Sequence, residues 1–84
     1  MINNKKIELT SAIVALSMEI VNTSDIDIFI DFSSHVRSFT VKVILNGWNY
    51  EYEPNLYEII YLDRNCVNKL NEVLSYLKKL KEEL

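Results

Sequence analysis

Cysteine occurs once in the 84 residues, at position 66. No internal disulfide can therefore form, and a thiolate-based zinc site lacks its ligands. Cys66 reads as a small buried apolar residue. Gly47 is the single glycine, which excludes the glycine-rich phosphate cradles of dinucleotide and P-loop proteins. Pro54 is the single proline, and no Ser/Gly-rich run interrupts a chain that is 49% apolar. Residues 1–84 are accordingly expected to form one ordered domain with no linker. No uninterrupted apolar run approaches the ~20 residues that span a bilayer. Lys5 and Lys6 are followed by Glu8, which breaks any signal-peptide core. The expectation is a cytoplasmic protein without a membrane segment. A basic excess is also missing: the formal charge of −3 argues against nucleic acid and favours a basic protein partner.

What is present is periodic. From Asn4 to Asn22, Leu9, Ile13, Leu16 and Ile20 recur at helical spacing, and Ile7, Val14, Met18 and Val21 widen the apolar arc. Ser24 suits a turn into a first strand, Asp25 to Phe32. There Ile26, Ile28, Ile30 and Phe32 share one face, while Asp25, Asp27 and Asp31 share the other. Ser33-Ser34-His35 reverses the chain into a second strand, Val36 to Leu45, with Phe39, Val41, Val43 and Leu45 on its core face. Asn46-Gly47 suits a tight turn. Residues 48–56 read either as a short strand or as an aromatic loop, followed by a last strand from Leu56 to Leu62. Asp63 is placed to cap a helix from Arg64 nearly to Leu84, whose stripe is Cys66, Leu70, Val73, Leu77, Leu80 and Leu84. The fold class is α+β, ordered α-β-β-β-α: an antiparallel three-stranded sheet, with a short fourth strand as a variant, covered on one face by two helices.

Candidate sites are few. Asp25, Asp27 and Asp31 form the one like-charged cluster with defined geometry, and neighbours two apart on a strand face lie roughly 6.5 to 7 Å apart. That spacing offers a hard cation too few oxygens, so the cluster reads as a solvated face or an acidic docking surface. Ser34 and His35 do not make a dyad by adjacency alone, since an acid to orient the imidazole would have to be supplied in space, so His35 is read as a polar hairpin residue. The aromatic series Trp48, Tyr50, Tyr52, Tyr57 and Tyr61 either packs at a sheet edge or projects as a docking patch, as aromatics often anchor interfaces. Tyr76 falls on the polar side of the last helix.

The element order resembles the double-stranded RNA-binding domain. Where that family carries a run of lysines, the corresponding turn here is Asp63-Arg64-Asn65-Cys66-Val67-Asn68-Lys69, so the resemblance is one of topology. In His35-Val36-Arg37-Ser38, Asn46-Gly47-Trp48 and Tyr61-Leu62-Asp63 the chain also resembles small proteins of phages and mobile elements of Gram-positive bacteria. That resemblance implies a stand-alone module that binds a host protein, including anti-CRISPR and other anti-defence inhibitors. The expected function is thus non-enzymatic protein binding, with no catalytic residue, cofactor or metal, through Asp25, Asp27, Asp31, Trp48, Tyr50 and Tyr52. The alternatives are a nucleic-acid binder and a carboxylate-metal hydrolase. Both helices carry more apolar surface than one small sheet covers, so a homodimer is also expected. Its twofold seam would be either Ile7, Val14 and Val21, or the end of the last helix at Leu77, Leu80 and Leu84.

Overall fold

A computed structural model describes residues 2–45 and 53–84. The order is α1 (Asn4–Thr23), β1 (Asp27–Ser33), β2 (Ser38–Ile44), β3 (Leu56–Tyr61) and α2 (Val67–Glu82), and the strands form one antiparallel sheet in the order β1-β2-β3. This is the α-β-β-β-α arrangement expected from the sequence. The Asn46-Gly47 turn and the variant fourth strand fall outside the described residues.

Helix α1 begins where Asn3 accepts a hydrogen bond from the Lys6 amide at 3.0 Å, satisfying one of the orphan donors of the first turn. With no glycine available for a left-handed C-cap, hydroxyls close the other end. Thr23 donates to the Glu19 carbonyl at 2.9 Å, and Ser24 donates to that of Ile20 at 2.6 Å while accepting from the Ile26 amide. This turn places Asp25 in the bend before β1, so the strand starts two residues later than the alternation suggested. The following reversal is longer than Ser33-Ser34-His35: it spans residues 34–37, and Arg37 takes a left-handed φ of 55°. β2 therefore starts at Ser38, not at Val36.

The core lies between the sheet and both helices. Leu9, Ile13 and Ile20 from α1 and Leu70, Val73 and Leu77 from α2 close over Phe39, Val41, Val43 and Ile60. The last helix thus buries its stripe within its own domain. α2 starts three residues after the expected Arg64, and Asp63 does not cap it; Cys66 occupies the N-cap position without a side-chain hydrogen bond. The reason is a competing set of contacts. Arg64 N–H donates to the Tyr61 carbonyl, and the Lys6 ammonium takes the carbonyls of Leu62 and Arg64, so residues 62–65 form turns. Cys66 is a buried free thiol, as expected. Across the gap between β2 and β3, the Leu45 amide donates to Asn55 Oδ1 and the Asn55 amide to the Val43 carbonyl, both at 2.8 Å, which ties the start of β3 to the end of β2.

Two side chains depart from the simple helical stripes. Ser17 is buried in place of the expected Leu16, which is half-buried, and among the described residues its Oγ has no hydrogen-bond partner. A buried hydroxyl without a partner costs roughly 1 to 3 kcal/mol, and alanine is the better helix former. Ser17→Ala is therefore expected to raise the urea-unfolding free energy by about 1 kcal/mol; a loss of stability would show that the hydroxyl is satisfied. Tyr76, on the polar side of the last helix by its spacing, is half-buried and packs on the core. Desolvation first, and repulsion from Glu83 second, hold its phenol above its ordinary value of 10.0. The folded state then keeps a proton that the unfolded chain releases, so this contribution is intact below about pH 10 and is lost as the pH rises further. Tyr76→Phe should show a shallower fall in stability above about pH 10 than the parent chain. Parallel slopes in urea melts across that range would exclude this role for Tyr76.

Candidate docking face

Because side chains alternate across a strand, the register assigns the sheet face turned away from the helices. Its rows are Phe29, Lys42 and Tyr57; then Asp31, Thr40 and Ile59; then Ser33, Ser38 and Tyr61, with Asp27 opposite Ile44 at one end. Phe29 on β1 and Tyr57, Ile59 and Tyr61 on β3 are all exposed, between 39% and 55%, on either side of the central strand β2. An apolar group on one face marks an interaction site more often than a scattered exposed residue does.

Two cations organise the aromatics. Lys42 lies half-buried in the middle strand, its ammonium 5.3 Å from the Phe29 ring centroid and 5.7 Å from that of Tyr57. The Arg64 guanidinium stands 4.7 Å from the Tyr61 ring. Each such contact at a wet surface contributes roughly 0.5 to 1 kcal/mol. It favours the ring positions seen here.

Of the expected site residues, Asp27 and Asp31 lie on this face, half-buried and exposed respectively, whereas Asp25 is exposed in the preceding bend. The aspartates form a border on β1, with Phe29 between Asp27 and Asp31 in the strand. Trp48, Tyr50 and Tyr52 fall outside the described residues. His35 and Ser34 are exposed in the β1–β2 turn. Among the described residues, no group of three or more His, Cys, Asp or Glu side chains could hold a metal ion, and no helix is long and apolar enough to cross a membrane.

Sequence reasoning missed Phe29, Lys42, Ile59 and Arg64. The signal in β1 was parity, since Phe29 shares the odd positions with the aspartates. In β3 both parities are apolar, with Leu56 and Ile60 on one and Tyr57, Ile59 and Tyr61 on the other, so the pattern alone does not say which faces water. Compared with known proteins, the chain matches no family model, no curated protein and no solved structure.

Proposed function

We propose that this protein is a non-enzymatic protein-binding module, of the phage or mobile-element kind that its short motifs resemble, which docks a host protein on the outward sheet face and thereby inhibits host defence. The observation that carries the reading is the exposed group Tyr57, Ile59 and Tyr61 on β3, joined through Lys42 of β2 to Phe29 of β1 on the same sheet face. Tyr and Phe supply large contact area with few rotors to immobilise, which is why interface anchors are enriched in aromatics. Asp31, exposed along one border, favours a partner with lysine or arginine opposite it.

Affinity capture from bacterial lysate with quantitative mass spectrometry, run in parallel on the parent chain and on Tyr57→Ala, tests this. An anchor residue contributes about 2 kcal/mol or more, so a specific partner should fall by roughly thirtyfold in affinity with Tyr57→Ala. It should be unaffected by Glu72→Gln on the exposed side of α2. If no captured protein depends on Tyr57 or Tyr61, the face is not the docking site.

A second reading rests on the same rings. Phe29, Tyr57 and Tyr61 beside Lys42 and Arg64 have the composition of a base-stacking platform. The net charge of −3 opposes it. Salt-dependent binding of a single-stranded or duplex RNA oligonucleotide, lost in Tyr57→Ala, would replace the protein partner with nucleic acid.

A further inference from the structure

The helix-side face of β1 is the least covered part of the core. Ile28 and Ile30 are half-buried and Phe32 is 52% exposed, although their neighbours Val41 and Val43 in β2 are fully buried. The outer stripe of α1 stands over the same gap, with Met18 at 68% and Val21 at 42% exposure. Two adjoining depressions of about 490 and 610 Å³ share Val14 and Met18 and run between α1 and β1. β1 is also an edge of the sheet. It has an unbroken register with β2 and contains no proline, lysine or bulge; its charges are Asp27 and Asp31, both on the face turned away from the helices.

The ladder fixes which backbone groups face outward. The Leu62 amide donates to the Arg37 carbonyl at 2.8 Å, in register with the β2–β3 pairs. Antiparallel alternation then turns the backbone groups of Phe39, Val41 and Val43 towards β3, and those of Ser38, Thr40, Lys42 and Ile44 towards β1. In β1 the odd residues bond β2. The amides and carbonyls of Ile28, Ile30 and Phe32 point away from the sheet.

We infer that β1 and the α1 stripe bind a second copy of this chain, the two β1 strands pairing antiparallel about a twofold axis at Ile30. In that register Ile30 faces its equivalent and Ile28 faces Phe32 of the second copy, so every outward backbone group among these three finds a partner. One continuous apolar floor runs across the seam. Asp31 falls opposite Phe29, and Asp27 opposite Ser33. Centring the pair on Phe29 instead sets Asp27 against Asp31 in both halves, a like-charge pairing that is destabilising. An odd shift turns the isoleucines to the other face. The charges therefore select the Ile30 register for self-pairing.

Area argues the same way. Phe32, Met18, Val21 and Ile7 are all more than 40% exposed. They amount to a patch at the size of the largest found on monomers, roughly 300–600 Å². Val14, Ile28, Ile30 and the β1 edge backbone extend this patch, and pairing of the two edges buries them together. Of the two seams expected from sequence, the end of α2 is excluded for Leu77, which is fully buried in its own core; α1 supplies the seam, and β1 joins it.

Sedimentation equilibrium at tens of micromolar, with oxidative crosslinking, tests the inference. The parent chain is expected at twice its 9.9 kDa mass. Met18→Glu alters a side chain exposed in the single copy, so it should fold normally by circular dichroism and sediment as a monomer. Ile30→Cys should crosslink to its equivalent, because paired strands bring the two Cα atoms within disulfide range. Ile28→Cys, four positions out of register with itself, should not. A parent chain at 9.9 kDa overturns the inference. So does a dimer that survives Met18→Glu, one that crosslinks through Phe29→Cys in place of Ile30→Cys, or a β1 edge protected only by a different protein's strand.

Discussion

Leu77→Ala is expected to destabilise the domain by about 3 to 5 kcal/mol, the range for large-to-small changes at sites that cannot collapse. Leu77 is fully buried, on the stripe of α2 that closes against α1 and the sheet. Native stability amounts to roughly 0.05 to 0.15 kcal/mol per residue, which for a chain this short leaves little beyond such a loss. The neighbouring stripe positions provide an internal gradient. Leu80 is half-buried and should lose about 1 kcal/mol on truncation, in proportion to the smaller area removed from water. Leu84, 57% exposed after the helix has ended, should lose almost nothing. Urea unfolding of the three variants, with circular dichroism as the probe, measures the series. Equal losses at positions 77 and 84 would mean that the end of α2 is buried in an assembly.

Why the heptad-like spacing does not show this gradient is instructive. Positions 70, 73, 77, 80 and 84 are equivalent on a helical wheel, and a wheel holds no information about where the opposing surface ends. The same limit applies to β1. Its alternation identifies Ile28, Ile30 and Phe32 as one face, and the register confirms it, yet β2 occupies the centre of the sheet and β1 its edge. Full burial therefore falls to Val41 and Val43. β2 was the most legible strand because Phe39, Val41 and Val43 alternate with polar residues, and β3 the least because both of its faces are apolar. The docking face inherits that ambiguity: its acidic border was readable from Asp27 and Asp31, while its aromatic centre required knowing which side the helices cover.

The two apolar surfaces differ in kind. The aromatic sheet face presents rings beside cations, whereas the α1–β1 groove is a core left open at one edge. If two copies pair through β1, both docking faces lie on the same side of one six-stranded sheet. Binding of a partner with two equivalent sites would then gain from effective concentration without any new contact.

Lys6→Met is expected to cost about 2 to 4 kcal/mol, an effect that no apolar pattern in the sequence suggests. Lys6 sits in the first turns of α1 with only 8% of its surface exposed. Its ammonium donates to the Leu62 carbonyl at 2.7 Å and to the Arg64 carbonyl at 2.9 Å, joining the start of the chain to the β3–α2 connection. Hydrogen bonds from a charged donor contribute roughly 1.5 to 3 kcal/mol each, offset here by the cost of taking the ammonium out of water. Methionine keeps much of the stem and its packing while leaving the Leu62 and Arg64 carbonyls without their donor, so the loss reports the bonds and not a cavity. Because Arg64 stacks on Tyr61, the same substitution should also loosen the Tyr61 end of the docking face. Urea unfolding measures the first effect. The second appears as a fall in partner affinity at a temperature where Lys6→Met is still fully folded. A change in stability below about 0.5 kcal/mol, the usual span for surface substitutions, would show that the ammonium is not part of the fold's polar framework.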